Sequence, residues 1–126
     1  MADELTINAS VQYADANDVQ MSLACPTDFL ATIASATPLA YQGSQSIGTS
    51  ETAINLGGIS SLGYMLLVNR DPVNYVDIKT GTGGTIFARL DPAGGMLLLK
   101  VGSGVTAPYA IANTAACVIE KFVGAL

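Results

Sequence analysis

Histidine and tryptophan are both absent from the 126 residues, and only 12% of the residues are charged. The lack of histidine removes the commonest general base, the commonest zinc ligand and any Ser-His or Cys-His nucleophile pair. Basic residues are scarce as well. Five Lys and Arg face ten Asp and Glu, giving a net charge of -5, so no basic stripe can follow a phosphate backbone and nucleic acid is not an expected partner. The longest strongly apolar run is Tyr64-Met65-Leu66-Leu67-Val68, far short of the roughly 18 to 20 residues that cross a bilayer as a helix. The opening Met1-Ala2-Asp3-Glu4 is acidic and lacks an apolar core, unlike a signal peptide, so synthesis in a cytoplasm is the expectation. In that setting the two cysteines, Cys25 and Cys117, read as buried thiols, with a Cys25–Cys117 disulfide as the alternative in an oxidising compartment.

Half the residues are hydrophobic, and the charged 12% compares with roughly 25% in ordinary globular domains. Disorder requires the opposite balance. The length suits one domain, 1–126, able to build a core without disulfides or metal. A mean hydropathy of +0.44 with so little charge suggests that part of the surface is covered by other subunits, so a homo-oligomer is expected. A surface of Thr, Ser, Asn, Gln, Ala and Gly is the plainer alternative.

The hydrophobic period is two. Leu5, Ile7, Ala9 and Val11 alternate with Thr6, Asn8 and Ser10, and Val19, Met21, Leu23 and Cys25 with Gln20, Ser22 and Ala24. The stretches 74–79 and 85–90 alternate likewise, which reads as half-buried strands. Met65–Val68 and Met96–Leu99 are continuous apolar runs, suited to central strands or to strands at a subunit contact. Turn signals stand between them: Thr80-Gly81-Thr82-Gly83-Gly84, Asp71-Pro72, Asp91-Pro92-Ala93-Gly94-Gly95, Gly102-Ser103-Gly104 and Asn113-Thr114. Together these predict an all-β, single-domain antiparallel β-sandwich, jelly-roll-like or similar. Residues 26–40 fit either a short helix over 28–36, capped by Asp28, or a strand, with strand preferred. Residues 41–50 are small and polar and read as an exposed connection.

Candidate sites each meet a simpler reading. Gly81–Gly84 precedes a strand, whereas a phosphate cradle precedes a helix, so it reads as a hairpin loop. Asp15, Asn17 and Asp18 lack the spacing of a calcium loop. Asp71, Asp77 and Asp91 lie near strand ends without a distinguished pair for glycoside chemistry. Ser44, Ser46, Ser50, Ser60 and Ser61 have no histidine partner and no nucleophile elbow. Asn8-Ala9-Ser10 matches a glycosylation sequon by chance. Tyr13, Tyr41, Tyr64, Tyr75 and Tyr109 could stack sugars only if they gathered on one face; scattered tyrosines more often bury a ring. No catalytic, cofactor or metal residue is expected, and no enzyme.

One stretch carries a resemblance. Ile47-Gly48-Thr49-Ser50-Glu51 is followed by Ile54-Asn55-Leu56-Gly57, then by Gly63-Tyr64-Met65-Leu66-Leu67-Val68-Asn69-Arg70-Asp71-Pro72-Val73-Asn74-Tyr75-Val76. The turn Leu90-Asp91-Pro92-Ala93-Gly94 and the close Ala107-Pro108-Tyr109-Ala110-Ile111-Ala112-Asn113-Thr114-Ala115-Ala116 complete it. In this order the phrases, spanning Ser46 to Val118, resemble small structural proteins of tailed bacteriophages. That family's more usual Asn-Leu-Asp stands here as Asn69-Arg70-Asp71, and its Lys-Pro-Gly turn as Asp91–Gly95. The resemblance implies a non-enzymatic virion protein, most simply a capsid decoration or cement protein bound to the major capsid protein or other virion proteins. The three-fold positions of such shells favour a trimer. A tail- or fibre-associated or surface carbohydrate-recognition module is the alternative. The expected contact residues are the neighbours of the two apolar runs and an N-terminal arm, Met1–Glu4. Asn69, Asp71 and Asn74 can satisfy turn backbone groups without any ligand.

Overall fold

The computed structural model describes the backbone of the strand segments Glu4–Thr6, Ser10–Ala14, Gln20–Ala24 and Leu30–Thr32, together with residues 40–59, 62–100 and 106–125. Two compact units divide at Ile33 and Ala34. Every assigned element among the described residues is a strand.

In residues 1–33, β1 (Glu4–Thr6) pairs antiparallel with β4 (Leu30–Thr32), and β2 (Ser10–Ala14) with β3 (Gln20–Ala24). One pairing is nested inside the other. Leu30–Thr32 is strand, so the helical alternative gives way there; the rest of 28–36 lies outside the described residues, as do the arm residues Met1 to Asp3, the sequon Asn8, Asp15, Asn17, Asp18 and Cys25.

The larger unit contains β5 (Ala40–Ile47), β6 (Thr52–Ala53), β7 (Leu62–Asn69), β8 (Val76–Lys79), β9 (Ile86–Leu90), β10 (Met96–Lys100), β11 (Tyr109–Ala112) and β12 (Cys117–Ala125). They form two antiparallel four-stranded sheets, in the orders β10-β7-β12-β5 and β6-β11-β8-β9. The first strand pairs with the last, the second with the seventh, the third with the sixth and the fourth with the fifth. Successive nested pairs fall in alternate sheets. That is a long hairpin folded over itself, the jelly-roll form of the β-sandwich.

Alternation along the strands fills the space between the sheets. Ile47, Met65, Leu67, Cys117, Ile119 and Val123 come from one sheet, and Val76, Ile78, Leu90, Ala110 and Ala112 from the other, all buried. β7 is a central strand, as its continuous apolar run suggests. β10 is an edge strand, and its exposed and half-buried residues alternate.

Residues 41–50 depart from their expectation. Instead of a loop, most of them belong to β5, paired with β12 from Ile47↔Cys117 to Ala40↔Gly124. The period was masked because two inward positions are Gly43 and Gln45. Gly43 leaves room for the Tyr41 ring, whose hydroxyl lies 2.9 Å from where a Cβ would stand, and Gln45 serves Lys121, which is 3% exposed and lies directly across from Gly43. The Lys121 ammonium donates to Gln45 Oε1 at 2.7 Å and stands 5.3 Å from the centroid of the Tyr41 ring. Burial holds its pKa below the ordinary lysine value.

The hairpin loop at 80–84 joins β8 to β9 as expected, closed by Thr80 N–H to Thr85 O (3.1 Å) and Gly84 N–H to Gly81 O (2.9 Å). The 91–95 turn places Ala93 at φ 60° and Gly94 at φ 110°. Ala93 is the one described residue other than glycine in the left-handed region, where a Cβ is disfavoured. Ala93→Gly is therefore expected to stabilise the fold by about 0.5–1 kcal/mol, the relief of left-handed strain outweighing glycine's added chain entropy; urea unfolding measures it. Gly57→Ala should do the opposite, since φ is +64° and the new Cβ would lie 2.2 Å from Tyr41 Cγ.

Candidate interaction surface

Two turns meet beneath Asn69, the last residue of β7, which is fully buried. Its Nδ2 donates to Asn74 O (2.8 Å), Leu90 O (2.9 Å) and Asp91 O (3.3 Å), and its Oδ1 accepts from Asp71 N–H (3.0 Å). Its backbone N–H donates to Gly95 O and its carbonyl accepts from Gly94 N–H. Asp71 Oδ1 accepts from the backbone N–H groups of Val73 (2.8 Å) and Asn74 (2.6 Å), bonds that hold its carboxyl below the usual aspartate range. Asn74 Oδ1 accepts from the Thr114 hydroxyl. Asn69 and Asp71 thus act on turn backbone, as the sequence suggests, whereas the Asn74 side chain bonds the side chain of Thr114 instead.

The remaining polar chemistry of this unit is similarly occupied. On the outside of the β6-β11-β8-β9 sheet, Arg89 grips Asp77 through two bonds of 2.6 and 2.9 Å and lies 3.8 Å from the centroid of the Tyr75 ring. Lys79 pairs with Glu51, whose other oxygen accepts from Gly83 N–H and so ties down the hairpin loop. The lysine bond first, and the Gly83 bond second, lower the Glu51 pKa. Cys117 is a buried free thiol whose pKa is raised by burial. Asp71 and Asp77 are held in separate local networks. Among the described residues no three His, Cys, Asp or Glu gather as a metal site, and no helix is long and apolar enough to cross a membrane. Among the described side chains, Tyr41, Tyr64 and Tyr75 do not form one platform: Tyr41 belongs to the inward set of β5, Tyr64 is buried, and Tyr75 is stacked by Arg89.

The outer face of the β10-β7-β12-β5 sheet is different in kind. An antiparallel sheet facing water normally presents polar side chains there. Here the register sets Met96 beside Val68 and Leu98 beside Leu66, with Phe122 next in the row beyond Leu66. Met96 is 67% exposed, Leu98 41% and Val118 48%; Leu66, Val68 and Phe122 are half-buried. A groove of about 380 Å³ on this face is lined by Leu66, Val68, Phe122, Gln42 and Ser44. Arg70 and Glu120, ion-paired at 2.9 Å, also line it. The apolar runs Met65–Val68 and Met96–Leu99 supply Leu66, Val68, Met96 and Leu98 to this face; Phe122 and Val118 were not foreseen.

Replacing Asn69 by Ala strands several carbonyl groups and one N–H in the interior and should cost about 3 kcal/mol or more, read by chemical denaturation. Asp71 and Glu51 have folded pKa values below their ordinary 3.8 and 4.5. Their contribution is therefore complete above those values and is lost as pH falls through the lower, folded ones. Stability should fall in acid below about pH 4, and the double variant Asp71→Asn, Glu51→Gln should show a flatter acid limb in a pH series of melting temperatures.

Comparison of the chain with protein-family models, with curated proteins and with solved structures returned no match.

Proposed function

We propose that this chain is a non-enzymatic structural subunit of a tailed-bacteriophage virion, a head decoration or cement protein that works as a homo-oligomer, with a trimer favoured. The observation that carries the reading is the apolar outer face of the β10-β7-β12-β5 sheet, with Met96, Leu98 and Val118 exposed on a small, sparsely charged chain. A contiguous apolar surface rimmed by an ion pair is what a protein-binding face requires. The structural roles of Asn69, Asp71, Asp77 and Glu51 leave these groups committed to the fold, which supports a binding role over turnover. The jelly roll adds an argument by analogy only, since the architecture serves viral shells and lectins alike. The phrases from Ser46 to Val118 supply the choice of virion. Many copies on one shell would add modest contacts into firm attachment.

The test is cosedimentation of the purified chain with undecorated heads of the phage that encodes it, alongside light scattering on the free protein. Saturable binding to heads that weakens at least tenfold in Leu98→Asp is the expected result. Heads that bind no protein, or bind Leu98→Asp equally well, would exclude this face as the site of attachment.

A further inference from the structure

A recess of about 140 Å³ lies between the two sheets of the jelly roll, where β7 begins and β10 ends. Leu62, Met65 and Leu99 line it from the β10-β7-β12-β5 sheet, with Leu99 directly across from Met65 in the register. Phe87 lines it from β9, the edge strand of the other sheet, and Pro108 from the stretch that leads into β11. Thr80 and Thr106, both exposed, complete the lining and add one hydroxyl each. None of these side chains is charged.

Phe87 reaches the recess because β9 carries a bulge. Ile78 pairs with Ala88 and Lys79 with Ile86, so Phe87 stands between them without an opposite number on β8. Counted by strict alternation from buried Leu90, position 87 belongs to the outer face. The extra residue breaks that alternation and re-aims the ring toward the space between the sheets. The ring is nonetheless 47% exposed, so an apolar group that enters the recess takes further aromatic surface out of water.

Volume and lining together decide what fits. Packed interiors leave few voids larger than a water molecule. Water that enters this one trades its hydrogen bonds for walls whose side chains offer two hydroxyls. An apolar cavity of about 150 Å³ in an unrelated protein takes up benzene, which sets the scale of the occupant. We propose that the recess is a binding site for one uncharged apolar ring of the size of benzene, packed on Phe87 and against Met65 and Leu99. The ring belongs either to a free small molecule or to a phenylalanine side chain presented by another protein; the chemistry of recognition is the same. The site lies on the inward side of β10, whereas the attachment face proposed above uses Met96 and Leu98 on its outward side. It therefore stands apart from the virion reading.

The test uses the full chain with ¹³C-labelled methionine methyl groups, and benzene as the probe. Met65 lines the recess, and Met96 is 67% exposed on the outer face of the same sheet, so one spectrum reads both site and control. Benzene should shift the Met65 methyl signal saturably, with half-saturation at about 1–10 mM for a ligand of this size, and leave Met96 in place. Leu99→Phe fills the recess with a ring of its own and should weaken benzene binding at least tenfold with the thermal midpoint retained. If that variant fails to fold, Phe87→Ser decides; the exposed ring is removed and binding should weaken at least threefold. Capped phenylalanine, N-acetylphenylalanine amide, separates the sources. Its binding at the same signal assigns the site to a side chain of another protein, and its exclusion alongside benzene binding assigns it to a free molecule; both keep the site. A Met65 signal that stays still up to the solubility limit of benzene, an equal shift at Met96, or unchanged binding in the folded variants would each overturn the proposal. Binding to phage heads is read separately, so either conclusion can fail alone.

Discussion

The jelly roll depends on one carboxamide. Folding a long hairpin over itself requires the chain to leave one sheet and enter the other at defined points, and Asn69 fixes two of them. It ends β7, anchors the 71–74 turn that leads into β8 in the opposite sheet, and holds the 91–95 turn through which the chain returns as β10. A buried amide that bonds backbone at both crossings determines where each crossing occurs, which apolar packing alone does not specify. Ala93 is held in its left-handed conformation at the same place, where its N–H donates to Asp71 O at 2.7 Å.

Much of the fold was legible because its strands obey a period of two and its turns carry their chemistry openly. β8, β9 and the 80–84 and 91–95 turns follow from alternation and from Gly and Pro placement. The β5–β12 pair, the longest in the molecule, did not. Its inward positions include Gly43, Gln45 and Lys121, residues that pattern reading assigns to loops or to solvent. They make sense only together, since glycine leaves room for the Tyr41 ring, the ring stands beside the lysine ammonium, and the ammonium takes the glutamine oxygen. A compensating set of this kind is visible after pairing, not before.

The two sheet exteriors differ for a related reason. One carries Arg89–Asp77 and Lys79–Glu51, with a tyrosine ring under the guanidinium, and has exposed apolar residues only on its edge strand β9, at Ile86 and Phe87. The other carries methionine, leucine, valine and phenylalanine around a single Arg–Glu pair. The sequence announced a charge deficit for the whole chain but could not say which face bore it. Only register distributes residues between the faces, because a one-residue slip exchanges them.

Residues 34–126 hold five acidic and five basic side chains while residues 1–33 hold five acidic and none basic, and that division has a consequence for handling the protein. A body with no net charge and an open apolar face is poorly protected against precipitation, because colloidal stability at a given pH comes from like-charge repulsion between molecules. All of that repulsion is supplied by the first 33 residues. Taken alone, residues 34–126 would sit near their isoelectric point at neutral pH, so the five acidic residues of the first 33 also keep the chain in solution.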